Sequence, residues 1–251
     1  MNELDPERRP LAQPDAGGQA PPPLGNDPGG RGAEHGVRAG TSVAGDHPRD
    51  TRPDRATRFV ETTHGILTYA QLAPLLAARV TVAETEIYRE VFQVRPLDES
   101  LLLELHACIC GDLVPDWAGR WRSIEVAVGK LQPPPAHRVA GEMREYSLNL
   151  EARWLEASQT VSDLTLEFLS YAEGRFLSIH PFQDFNGRTI RLFLLELLRR
   201  LDLPRVVLAV ESAADRAVYF AALESADQRD FRPLMEIWRQ RFTRAEPIQT
   251  T

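Results

Sequence analysis

From Thr57 onward the apolar positions recur at helical spacing almost without interruption, and the residues before it show no such pattern. The spacing predicts a first amphipathic stretch over 57–94, broken near Arg79–Ala83. Asp98 reads as the N-cap of a helix over Glu99–Cys110, and Gly111 as the residue just past its end. Residues 112–122, with Pro115, Trp117, Gly119 and Trp121, read as a structured loop. Ser123–Val128 alternates as a short strand, and Gly129-Lys130 can close a hairpin. Pro133, Pro134 and Pro135 stop that element and lead into a helix over Ala136–Ala157. A helix over Gln159–Ser178 follows, capped by Ser158, with Leu164, Phe168 and Tyr171 on its apolar stripe and Leu166 and Leu169 widening it. After a loop at 179–186 come helices over Gly187–Leu201, Asp215–Ala226 and Phe231–Phe242. The predicted fold class is all-α with one small β-hairpin, as a single domain over 56–245 and a short tail at 246–251.

Composition separates the N-terminal segment from this domain. Residues 1–55 hold nine of the 19 prolines and nine of the 16 glycines, and no Phe, Trp or Tyr. Such a segment cannot bury enough apolar surface to offset its ordering entropy, so it is expected to be disordered. The net charge of −7 argues against DNA binding through general basicity. No apolar run reaches the roughly 20 residues that span a bilayer, and no secretory signal opens the chain. A cytoplasmic setting is expected, although an exported effector fits the N-terminal segment equally well. Cys108 and Cys110, two apart on a helix, point to different faces and read as core residues in a reducing compartment.

The chemistry is concentrated in the loop at 179–186 and the helix start after it. A plain connector needs only a few turn residues; this one carries His180, Asp184, Asn186, Gly187, Arg188 and Arg191 within twelve positions. A helix opening near Gly187 leaves backbone N–H groups without intrahelical partners, and with the positive end of its dipole they form an anion site. Arg188 and Arg191, three apart, can both reach that site and clamp phosphate oxygens. Asp184 is a hard oxygen ligand suited to Mg²⁺. His180 can accept a proton near neutral pH. Each has a plainer role taken alone: loop hydrogen-bonder, N-cap, surface charge. Phe182 reads as a core anchor. A metal site built from His64, His106 and His180 fits no compact ligand spacing.

His180-Pro-Phe-Gln-Asp-Phe-Asn-Gly-Arg-Thr-Ile-Arg191 resembles the Fic family signature, His-Pro-Phe-x-Asp/Glu-Gly-Asn-Gly-Arg-x-x-Arg. The resemblance extends to Leu105-His106 through Trp117-Ala-Gly-Arg-Trp-Arg122, to Ala217–Leu223 and to Asp227–Leu234. It implies a protein adenylyltransferase that uses ATP and Mg²⁺ and moves AMP onto a Ser, Thr or Tyr hydroxyl of a protein target. By position, His180 would be the base and Asp184 the Mg²⁺ ligand. Asn186, Gly187 and Arg188 would cradle the phosphates, and Arg191 would hold the γ-phosphate. Ser123–Gln132 resembles the family's target-docking flap, with Ser123, Ile124, Glu125, Val126, Ala127 and Val128 along it. The resemblance also admits another donor, or removal of AMP.

One position departs: Phe185 stands where the family has Gly. Either the loop keeps its path, with φ negative and the ring packed into the core or against the ligand, or the cradle is altered. The second outcome would leave a weak or differently acting enzyme, or a binding module without catalysis. Thr57-Arg-Phe-Val-Glu61-Thr62 partly matches the family's inhibitory helix, Ser/Thr-x-x-x-Glu-Gly/Asn. Glu61 is therefore an inhibitory candidate, expected to pair with Arg191; a solvated glutamate at a helix start is the plain reading. Target identity and oligomeric state are not legible.

Overall fold

Val60, Thr62, Thr63, Ile66 and Thr68 are β-branched and surround Gly65, and this local chemistry decides how the domain begins. The computed structural model describes residues 59–210 and 212–245, so the expectations for 1–55 and 246–251 lie outside the described residues. The chain opens on strand β1 (Phe59–Thr62), turns at Thr63-His64, and returns as antiparallel β2 (Gly65–Thr68). Phe59 pairs with Thr68 and Glu61 with Ile66. Gly65 takes φ +89°, a conformation other residues resist, and Thr63 anchors the turn by donating its N–H to the Leu113 carbonyl and its hydroxyl to Asp112 O. Over 59–68 the expected helix is thus replaced by a hairpin, while Thr57 lies outside the described residues.

Helix α1 (Tyr69–Tyr88) starts at a reciprocal capping box, with Thr68 accepting from the Gln71 N–H and Gln71 accepting from that of Thr68. It runs unbroken through Arg79–Ala83, because Leu72, Leu76, Ala83 and Ile87 keep one buried face. Helix α2 (Glu99–Cys110) is capped by Asp98 as expected. Gly111 follows with φ −57°, not left-handed; a Cβ there would lie 2.7 Å from the Ala107 carbonyl oxygen, so close approach explains the glycine. The segment 123–132 forms no strand: one bridge, Val128 to Leu131, closes the Gly129-Lys130 turn. Val126 and Val128 are buried and their neighbours exposed, so the alternation is real, but no second strand lies beside it to form a ladder.

A 3₁₀ turn at Ala136–Arg138 leads into α3 (Val139–Trp154). Helix α4 (Asp163–Ile179) begins four residues later than expected, capped by Ser162 rather than Ser158, which leaves Leu164 exposed in its first turn. From Thr165 to its end every residue of α4 except Glu167 is buried, and α3, α5, α6 and α7 all pack on it. Helices α5 (Asn186–Arg200), α6 (Ala213–Asp227) and α7 (Arg232–Arg244) complete an all-α domain with one small hairpin. The buried charge of Glu173 on α4 is paired: it accepts from Arg241 at 2.8 Å and from the Tyr219 hydroxyl at 2.6 Å. Among the described residues no helix is long and apolar enough to cross a membrane.

Candidate active site

The most deeply packed helix, α4, ends where the chain must reverse into α5, and two residues that are not glycine carry the left-handed backbone this requires. His180 caps α4 with φ 51°, and Phe185 precedes α5 with φ 60°. Each such residue costs about 1–2 kcal/mol, so the surroundings must dictate the loop. They do so atom by atom. The Asn186 amide donates to Phe182 O and accepts from Phe182 N–H, both at 2.9 Å. Asp184 Oδ1 accepts from the Phe185 N–H at 2.8 Å. The carbonyls of His180 and Pro181 accept from Arg122, at 2.8 Å from its Nε and 2.9 Å from its backbone N–H.

His106 of α2 holds the same loop from below. Its Nδ1 accepts from the Gly119 N–H at 2.9 Å, which leaves the proton on Nε2 to donate to Asp184 O at 3.2 Å. Its ring stacks on Phe182, with centroids 3.8 Å apart and planes 2° from parallel. Burial holds the imidazole neutral, with its pKa pushed down to about 4, only partly opposed by the Asp184 bond. In the sequence, its apolar helix neighbours give no sign that the ring spans three segments.

Phe185 is fully buried, its ring stacked on Trp117 at 5.5 Å and tilted against His106 at 6.4 Å. The expectation of a negative φ is therefore corrected, while the ring does pack into the core. The backbone keeps the turn a glycine would make, and the aromatic cluster offsets the strain.

Helix α5 starts without any side-chain cap, as α3 and α7 do, whereas Thr68, Asp98, Ser162 and Ser212 cap α1, α2, α4 and α6. Arg188 and Thr189 donate their N–H groups to Phe185 O, so the first two, of Asn186 and Gly187, are the ones a bound anion can take. Asn186 can offer an anion only this N–H, since its amide is occupied with Phe182. Arg188 donates to the Tyr69 hydroxyl at 2.7 Å, a partner at the start of α1 that helical periodicity could not single out. Arg191 is half-buried and near enough to Tyr219 of α6 to act on it electrostatically, and its side chain makes no hydrogen bond or ion pair with another described residue. His180 and Asp184 are fully buried on the same loop.

The structure thus gathers His180, Asp184, Asn186, Gly187, Arg188 and Arg191 around one helix start. Arg122 joins Ser123–Val128 to that loop. Glu61 is not part of it: it sits exposed on β1, in a strand rather than the inhibitory helix expected, and makes no hydrogen bond or ion pair among the described residues. A cavity of about 790 Å³ opens elsewhere, between α6, α7 and residues 205–210, and no motif residue lines it.

Residues 96–198, from the approach to α2 almost to the end of α5, match the model of the Fic/DOC family. That stretch is similar to a Fic/DOC-family domain. The chain is similar to the protein adenylyltransferase fic-1 of Caenorhabditis elegans, with 34% identity over 134 residues, 53% of this chain and 25% of that protein. The protein adenylyltransferase Fic of Nematostella vectensis matches at 33% over 53% of this chain and 30% of its own length. The chain therefore spans between a quarter and a third of these relatives. Among solved structures, the fold resembles the N-terminal FIC domain of Bep8, a VirB-translocated effector of Bartonella sp. 1-1C. The TM-score is 0.60 at 15% identity, over 78% of this chain and 94% of that one. BepC of Bartonella tribocorum, solved with bound AMPPNP, gives 0.57 at 15% identity, over 74% and 93%. At that identity the likeness speaks for the fold alone.

Proposed function

We propose that the Fic domain is a protein adenylyltransferase that binds ATP at the start of α5 and transfers AMP to a hydroxyl of a protein target. The observation that carries the reading is the braced loop between α4 and α5. It holds a buried histidine, a buried carboxylate and an uncapped helix start with two arginines. The names of the curated relatives support it.

The roles follow from the positions. The N–H groups of Asn186 and Gly187 and the guanidinium of Arg188 would receive the α- and β-phosphates, with Arg188 extending or exchanging its bond to Tyr69. Arg191 would hold the γ-phosphate and so orient the α-phosphorus. Asp184 fits a Mg²⁺ site of the kind that uses one carboxylate and completes its shell with water and phosphate. When bound there, the ion neutralises phosphate charge. His180 takes the proton of the target hydroxyl as its oxygen attacks the α-phosphorus, and pyrophosphate leaves with the electron pair of the broken bond. The residues 123–128 would present the target beside His180. Positioning and charge neutralisation account for the catalysis.

The test is incubation of the full chain with Mg²⁺ and ATP labelled on the α-phosphate, beside His180→Ala. Label on protein that requires His180 supports the proposal. Label transferred only from the γ-phosphate would mean a kinase, and release of AMP from a modified protein would mean the reverse activity.

A further inference from the structure

Arg122 is used by no step above, yet its guanidinium is wholly buried and donates to the end of α4, at Ile179 and His180. Its Nε donates to His180 O at 2.8 Å, Nη1 to Ile124 O at 3.0 Å, and Nη2 to Pro134 O and, at 3.5 Å, to Ile179 O. Its own N–H donates to Pro181 O at 2.9 Å. The nearest carboxylate, Glu125, is 3.8 Å away on an exposed side chain, and one of its oxygens also accepts from the Ala136 N–H at 2.9 Å. A buried cation is thus satisfied almost wholly by carbonyl oxygens from three stretches of chain. Burying a guanidinium this way is costly, and only its planar fork of donors can serve carbonyls in several directions; a lysine ammonium cannot.

The carbonyls it chooses bracket one segment. Ile124 and Pro134 are the two ends of the stretch 124–134, whose only internal ladder is the bridge from Val128 to Leu131. His180 and Ile179 are the end of α4. With so little ladder of its own, the stretch is hydrogen-bonded to the end of α4 through this side chain. We infer that Arg122 is a positioning residue that fixes the target-docking edge at 123–134 in register with the base at His180. This rests on the adenylyl-transfer reading for its functional half. The structural half stands on the hydrogen bonds alone.

The experiment compares the full chain with Arg122→Gln and Arg122→Lys by three readouts. Amide hydrogen exchange should quicken about tenfold or more over 123–134 in both variants, with α3 and the middle of α4 unchanged. ATP binding by calorimetry should stay within about twofold, since the phosphate groups sit on α5. Self-labelling at varied ATP should show kcat reduced by about tenfold or more with KM for ATP nearly constant, because misplacing a reactant by about 1 Å costs rate on that scale. Exchange unchanged at 123–134, or kcat unchanged, overturns the inference. So does faster exchange spread through the whole domain with ATP binding lost, which marks a mere fold brace. If the wild type fails to label, the proposed function falls, and the exchange pattern alone still decides whether Arg122 holds the segment.

Discussion

Phe185 shows how one residue can keep a backbone it should resist. Left-handed φ costs about 1–2 kcal/mol for a side chain with a Cβ, yet removing a buried phenylalanine ring costs about 3–5 kcal/mol. The ring wins because Trp117 and His106 enclose it completely. Phe185→Gly should therefore lower stability by about 2 kcal/mol in denaturant titration, although it restores the residue the turn favours; a more stable variant would contradict this packing account. His106 carries a second prediction. Its pKa is pushed down to about 4 from an ordinary value near 6.5, so between these values the unfolded chain binds a proton that the native site refuses. Its contribution is full above pH 6.5 and is lost as pH falls toward 4. Against His106→Asn, the wild type's stability advantage should shrink by roughly 2–3 kcal/mol between pH 7 and 4.5. An advantage that stays constant would show that His106 titrates normally.

At the scale of elements, α4 is the axis on which the site is hung, and Gly174 lets α6 and α7 approach it. A Cβ at Gly174 would lie 2.8 Å from both Ala226 Cβ and Leu234 Cδ1. Ala226 has no rotamer to escape into, so overpacking of about 1–3 kcal/mol outweighs the helix propensity of about 1 kcal/mol that alanine adds. Gly174→Ala should lower Tm in a thermal melt; a rise would mean the helices part without cost. The positions of α2, α5, α6 and α7 were legible because helical period is sustained there, joined at α2 by the cap at Asp98. The hairpin at 59–68 was not, since four-residue strands are shorter than the window in which helical period shows itself, and β-branched residues serve either. Ser123–Val128 failed in the opposite sense. Alternation at Val126 and Val128 records burial on one side, but a strand also needs a partner, and that stretch is held by the Arg122 side chain instead. The candidate loop was legible as a cluster of chemical types. What sequence could not show was the division of labour within it, with Asn186 spent on Phe182, Arg188 tied to Tyr69, and His106 and Arg122 holding from outside the motif.

For the whole molecule, a chain of net charge −7 would, on the adenylyl-transfer proposal, read phosphate at one helix start. Anion recognition there would be local, built from the N–H groups of Asn186 and Gly187 and two arginines, so bulk charge would have little bearing on it. The strand position of Glu61 means that nothing in this conformation withholds Arg191 through that residue. Glu61→Gly should leave transfer within about twofold of the wild type, and a large gain on substitution would show that Glu61 reaches Arg191 in another conformation.

The most direct measurement is label from α-phosphate ATP with Mg²⁺, followed on the full chain and on His180→Ala at neutral pH. Protein-bound label in the wild type, reduced by about a hundredfold or more without His180, is the predicted result, in keeping with the worth of a positioned general base. Equal label in both proteins would contradict the role of His180, and no label in either, with no ATP bound by calorimetry, would contradict the assignment of this loop as a nucleotidyl-transfer site.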